Sequence, residues 1–268
     1  MENTLPIVGV EIALVLSGVY LLITTLITWR KSSSAVEPKV PEWNILKSDF
    51  VLYGFLAIAS ALFFQLSASF VLKHTALNSD CRLILSAAAM DLGILGGVYI
   101  FHQFKNDPFP KFNLSFLKTL ISGFKTVLIA LPLVFLVMFV WQAVLNALHI
   151  PIVKQEMVDL LLNSNDSLTR STLILVAVFA APMAEEVIFR AGLFRFLRTR
   201  TPRWVALLIP AALFAAAHGS LTYFPPLVIL GIVFALAYEK TGNIGTTIIA
   251  HALFNLNSIL MVLGGVGS

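Results

Sequence analysis

Residues 171–194 read STLILVAVFAAPMAEEVIFRAGLF, a largely apolar run interrupted by Glu185, Glu186 and Arg190. At 1.5 Å per residue a helix over this run is about 36 Å long, enough to cross about 30 Å of hydrocarbon. Ionisable side chains are costly there and are retained where they pair or do chemistry. Within the helix, Glu186 and Arg190 are four apart and share a face, whereas Glu185 is turned about 100° from Glu186 and stays available. The run therefore predicts a membrane-spanning helix with one paired and one unpaired carboxylate.

Seven further apolar runs surround it: Leu5 to Trp29, Phe50 to Leu72, Leu83 to Phe104, Thr119 to Leu148, Trp204 to Tyr223, Pro226 to Tyr238 and Ile244 to Leu263. The run from Pro226 to Tyr238 is short for a full crossing. The predicted fold is all-α, a polytopic transmembrane helical bundle of about eight spans. It divides into N-terminal helices over 1–170 and a core of four spans over 171–268. Composition agrees, since 58% of the 268 residues are hydrophobic and 12% are charged, against roughly 25% charged in a soluble domain. An ordinary cytosolic enzyme is excluded. The net charge of +4 does not indicate nucleic acid, because the basic residues are spread through short loops. A lone cysteine, Cys81, rules out an internal disulfide.

Assigning alternate loops to opposite sides puts twelve Lys and Arg on one side, from Arg30 and Lys31 through Lys111 to Arg195, Arg198, Arg200, Arg203 and Lys240. The other side receives Lys73, Arg82, Lys154 and Arg170. Basic loops face the cytoplasm, so both termini are expected outside a multi-pass protein of a bacterial cell membrane. Arg30 and Lys31 follow the first run where a cleavage site would stand in a signal peptide, so that run reads as a retained helix. Ser32 to Asp49, with Pro38 and Pro41, reads as a cytoplasmic loop or surface helix rather than a domain linker. The arginines from 195 to 203 could hold anionic head groups or an acidic tail, although topology accounts for them. Glu11 and His102 are expected to reach the interface.

Polar groups recur in the later runs. Phe214-Ala-Ala-Ala-His218 ends a stretch of small residues with an imidazole, and His251-Ala-Leu-Phe-Asn255 places His251 and Asn255 on one face. Counted from the basic ends, Glu185 lies roughly 14 Å deep, His218 roughly 21 Å and His251 roughly 10 Å. Tilt, or an irregular start near Gly242 and Gly245, is needed to bring them together. A carboxylate and an imidazole sharing a water could take its proton and direct it at an amide carbonyl. A second His with an Asn amide could donate to the resulting oxyanion. Bland readings remain beside these: Glu186 with Arg190 as a packing pair, and His251 with Asn255 as interhelical hydrogen bonding.

The order Glu-Glu-x-x-x-Arg, Phe-x-x-x-His and His-x-x-x-Asn on three apolar runs resembles the CPBP family, the CaaX protease and bacteriocin-processing group of glutamic-type intramembrane endopeptidases, over about Ser171 to Leu263. The resemblance implies peptide-bond hydrolysis, with Glu185 and His218 activating water and His251 and Asn255 stabilising the oxyanion. Glu186, Arg190 and Phe214 would support them, and Glu186 would tolerate change better than Glu185. It also implies a membrane peptide or lipidated protein as substrate, in contact with membrane lipids. No cofactor is favoured. Zinc, were it bound, would take Glu185, His218 and His251, but the His-Glu-x-x-His helix is absent. Competing readings are a non-catalytic scaffold or bacteriocin-immunity protein, and a transporter using Asp91, Lys125 and the glutamates as a charge relay.

Overall fold

The structure, a computed structural model, describes residues 5–31, 39–109, 114–153, 156–164 and 166–266. Ser32 to Pro38 of the expected loop, Lys111, Lys154 and both chain ends lie outside them. Among the described residues there are nine helices and no strand: α1 Leu5–Lys31, α2 Lys47–Leu72, α3 Ser79–Lys105, α4 Phe116–Ala147, α5 Glu156–Asn163, α6 Ser167–Arg198, α7 Arg203–Ala217, α8 Phe224–Thr241 and α9 Ile244–Leu263.

Seven of these helices are long and apolar enough to cross a membrane, and α5 and α7 are not. Large apolar side chains cover their outer faces, with Phe63 67% and Phe139 74% exposed. Such side chains in water would be an aggregation surface, whereas lipid covers them at no cost. The protein is an integral membrane protein.

The short crossing is not where hydropathy put it. Pro226 to Tyr238 belongs to the 18-residue helix α8, while the run from Trp204 to Tyr223 yields a 15-residue α7 that stops at Ala217. Gly219 takes φ 61°, a left-handed conformation that glycine adopts freely. The chain then turns, and Pro225 and Pro226, which need no helical partner for their missing N–H groups, open α8. This turn is held from outside: the Trp141 indole donates to the Leu221 carbonyl at 2.9 Å, and the Val153 N–H to the Thr222 hydroxyl at 3.1 Å. Helix α5, absent from the hydropathy reading, sits nearby and buries Leu161 beside Ile84, Leu173 and Val176.

Small residues set the helix spacing. On α3, Gly93 and Gly97 lie against the α2 backbone at Ser60 to Ala61 and Leu56 to Ala57. On α1, a Cβ at Gly18 would collide with the Leu128 carbonyl and come within 2.9 Å of Pro132 on α4. Helix α4 in turn packs on α8 and α9. Gly18→Leu is therefore expected to prise α1 from α4, at about 1–3 kcal/mol for overpacking a close contact. A disulfide or crosslink yield between cysteines placed on α1 and α4 should fall; an unchanged yield would show that α1 does not dock through Gly18.

At the basic end the arginines turn inward rather than toward lipid. Arg195 donates to the Pro41 and Glu42 carbonyls at 3.0 and 3.2 Å, and Arg200 to those of Trp43 and Ile45. Arg198 and Arg203 converge on Glu239 at 2.6 and 2.7 Å. They fasten the 39–46 segment and α8 to the end of α6, so head-group binding is not needed to explain them. Glu11 and His102 likewise turn inward rather than toward solvent or lipid. Both are buried, Glu11 accepting from Asn257 on α9 at 3.2 Å and His102 pairing with Asp107 at 2.9 Å.

Candidate active site

Helix α6 is not a regular α-helix throughout: it widens to π-helical turns at Val176–Ala180 and Val187–Phe194. The first follows from Pro182. In the widened turn the Ala181 N–H bonds to the Val176 carbonyl, so the next acceptor, Ala177, faces Pro182, which has no N–H. Its carbonyl would be orphaned, and a buried unpaired carbonyl is costly. Asn255 on α9 supplies the donor at 2.8 Å. In the second stretch the Tyr53 hydroxyl donates to the Val187 carbonyl at 3.0 Å, while a Cβ on Gly192 would lie 2.7 Å from that hydroxyl. Neighbouring helices thus hold both irregular turns, and Glu185 and Glu186 stand between them.

The charges form a chain. Arg190 Nη1 lies 2.7 Å from Glu186 Oε1, and both residues are fully buried. Arg190 Nη2 also donates to the Gly231 carbonyl at 3.3 Å, with the guanidinium carbon 4.6 Å from the Phe214 ring centre and 5.4 Å from that of Phe234. Glu186 Oε1 also lies 2.9 Å from His251 Nδ1, and His251 Nε2 points toward Glu185 Oε2 at 3.7 Å. Since Glu186 is the acceptor, His251 Nδ1 carries a proton. His251 therefore spans the two carboxylates, and it is buried where Glu185 remains about a quarter exposed. Among the described residues neither Glu185 Oε2 nor Glu186 Oε2 makes a hydrogen bond.

His218 caps the end of α7. Its Nδ1 donates to the Phe214 carbonyl at 2.9 Å, which leaves Nε2 as the acceptor nitrogen of the neutral ring. Its ring centre lies 4.8 Å from that of Phe214, which in turn is 5.7 Å from His251 and 5.5 Å from Phe189. Fully buried Phe214 is thus the hub against which Arg190, His218 and His251 all rest. His218 is exposed and makes no ion pair with Glu185 among the described residues.

The structure joins Glu185, Glu186, Arg190 and His251, and sets Arg190, His218 and His251 around Phe214, despite the unequal depths counted along straight helices; Asn255, one turn beyond His251, bonds Ala177, and among the described residues His218 touches neither glutamate. Helix α9 begins at Ile244 beyond Gly242, whose φ of 64° ends α8, and His251 is two turns in. Lys125 is exposed on α4, so a charge relay through it has no connection to this centre. Phe234, Tyr53 and Pro182 were not singled out by sequence. An aromatic or a proline in an apolar run carries no signal that separates site from packing.

Zinc fits poorly. Among the described residues no three His, Cys, Asp or Glu side chains are grouped as a metal would need, and His251 Nδ1 is committed to Glu186.

Residues 167–257 match the family model described as type II CAAX prenyl endopeptidase, Rce1-like. Over 91 residues, 34% of this chain, the sequence is 32% identical to the Bacillus subtilis (strain 168) protein named "Putative membrane peptidase YdiL", covering 37% of that protein. Over 94 residues it is 28% identical to an uncharacterized protein of Mycoplasma capricolum subsp. capricolum, covering 27% of it. The chain spans well under half the length of the curated relatives it matches. No solved structure matches. The matched stretch runs from the start of α6 into α9 and contains Glu185, Glu186, Arg190, Phe214, His218, His251 and Asn255, so the likeness to the type II CAAX prenyl endopeptidase model falls on the candidate site.

Proposed function

We propose that the protein is an intramembrane endopeptidase that hydrolyses a peptide bond in a membrane-embedded or lipid-anchored peptide, in a bacterial cell membrane with the basic loops in the cytoplasm and both termini outside. The observation that carries this reading is His251 suspended between Glu186 and the hydrogen-bond-free Oε2 of Glu185, inside a membrane bundle. A water held between Glu185 and Nε2 of His218 would lose a proton to that pair as its oxygen attacks the amide carbon. The oxyanion would accept hydrogen bonds from His251 Nε2–H and from the amide proton of Asn255 that Ala177 does not use. The proton taken from water would then pass to the leaving amine.

For His251 to donate from Nε2 while Nδ1 donates to Glu186, it must be imidazolium. A scaffold or immunity protein would have no chemical use for the hydrogen-bond-free oxygen of Glu185.

The full chain, purified into lipid nanodiscs and given fluorogenic prenylated and unprenylated peptides, tests the reading. His218→Ala should lower kcat by about 10²-fold or more, as loss of a positioned base does, with KM and thermal midpoint little changed because the residue is exposed. Comparative membrane peptidomics of cells carrying either form would identify the substrate as the peptide that accumulates. Wild-type turnover by a folded His218→Ala variant would end the peptidase reading.

A further inference from the structure

Tyr53 of α2 is only 3% exposed, and aromatic rings confine it. Trp43 and Phe101 meet it edge-on, each at 5.3 Å between ring centres, and Phe50 stacks at 6.0 Å. Trp43 is itself tied down, its indole donating to Asp107 at 2.9 Å and its carbonyl accepting from Arg200. One turn further along α2, Leu56 and Ala57 lie in backbone contact with Gly97 of α3. The phenol is therefore a fixed rod, and its hydroxyl reaches α6, where it donates to the Val187 carbonyl at 3.0 Å.

Val187 and Gly192 are five residues apart, the spacing of one π-helical turn. The hydroxyl touches both ends of that turn, because a Cβ at Gly192 would lie 2.7 Å from it and 2.8 Å from the ring carbon Cε1. In a regular α-helix the residue one turn beyond Val187 would be Ala191, whose Cβ would take the space that Gly192 leaves empty. Tyr53 and Gly192 together thus fit the widened register. That register bears on the charged centre. The turn opens on the residue after Glu186 and contains Arg190, so it sets how Arg190 Nη1 meets Glu186 Oε1 at 2.7 Å. Glu186 in turn holds His251 at 2.9 Å, and His251 Nε2 faces Glu185 at 3.7 Å.

We propose that Tyr53 is a positioning residue of this centre: its hydroxyl, set between the Val187 carbonyl and Gly192, holds the widened turn that aligns Arg190 and Glu186 and, through them, His251 against Glu185. The inference rests on the proposed peptidase chemistry. It brings a residue of the N-terminal helices, outside the matched stretch of 167–257, into the support of the site. Tyr53 touches none of the reacting groups; it acts through the backbone of α6.

Tyr53→Phe in the full-length protein in nanodiscs, assayed with a fluorogenic prenylated peptide, removes the donor and keeps the ring. Its kcat per folded molecule should fall by roughly 10–100-fold, the effect of misplacing reacting groups by about 1 Å, with KM unchanged because so buried a side chain does not touch a bound peptide. Gly192→Ala, which keeps the hydroxyl but pushes it from Val187, should lower kcat in the same way, and the double variant should add little, since both changes break one contact. Para-aminophenylalanine installed at position 53 restores an N–H donor and should recover part of the loss. Amide exchange over residues 188–194, read by mass spectrometry, follows the turn without any turnover and should quicken in Tyr53→Phe. Glu185→Gln is the separate control: if it turns over like wild type, the peptidase reading falls, and the exchange rates still decide whether Tyr53 holds the turn. Exchange unchanged in Tyr53→Phe, a kcat loss no larger than the loss of folded protein, or a loss that the amino analogue does not relieve overturns the role given to Tyr53.

Discussion

Glu185→Gln is expected to reduce kcat by about 10²–10⁴-fold, the span associated with a positioned general base, while leaving the thermal midpoint within a few degrees of wild type. Both halves of that expectation come from the same geometry. The Glu185 side chain is partly exposed and Oε2 has no hydrogen-bond partner, so the amide loses no fixed contact there. What disappears is the carboxylate of the pair whose side chain is partly exposed, where water can meet it. Glu186→Gln should behave in the opposite sense. Its carboxylate is fully buried and holds Arg190 and His251 at once, so its loss should register first as instability. The sequence suggested that Glu186 is the more tolerant of the two; the contacts make it tolerant for chemistry and intolerant for folding. A stable Glu185→Gln enzyme with near-normal kcat would refute the assignment of the base.

Arg190→Ala should be the most destabilising single change in the core, by about 3–5 kcal/mol, the usual cost of removing one member of a buried ion pair. Alanine would leave Glu186 charged without its guanidinium and would remove the cation lying over Phe214 and Phe234. Arg190→Lys keeps the charge but not the planar fork that reaches Glu186 and the Gly231 carbonyl together, so it should recover only part of the loss. The double variant Glu186→Leu with Arg190→Leu should be less damaging than Arg190→Ala, since no unpaired charge remains. Thermal unfolding in detergent of all three decides the matter. An Arg190→Ala protein within about 1 kcal/mol of wild type, the size of an average substitution, would mean that the pair is not what holds the centre.

Much of the helical architecture could be read from hydropathy because the bilayer enforces it. Twenty apolar residues in a row have few alternatives to a crossing helix. The pairing of Glu186 with Arg190 was equally legible, since both lie on one helix and its periodicity fixes their separation. The sequence did not reveal that α7 halts at Ala217, because the turn beyond it is nearly as apolar as the helix. Nor did it disclose the contact of His251 with both glutamates, or that of Asn255 with the Ala177 carbonyl. These depend on the relative rotation of α6 and α9 and on a proline that widens one turn of α6. Asp91 and Lys125 looked alike as lone intramembrane charges. Packing separates them, with the first buried against α6 and the second exposed on α4.

The brevity of α7 has a consequence for the surrounding lipid. Fifteen residues reach only about 22 Å, some 8 Å short of a typical hydrocarbon slab. Acyl chains beside α7 must compress or tilt to match it, and the membrane is expected to dimple on that flank. His218 directly follows the last residue of α7, so such a dimple would bring water nearer to its ring. A local deformation of that kind would serve the proposed hydrolysis of membrane peptides, and the length of a single helix would impose it.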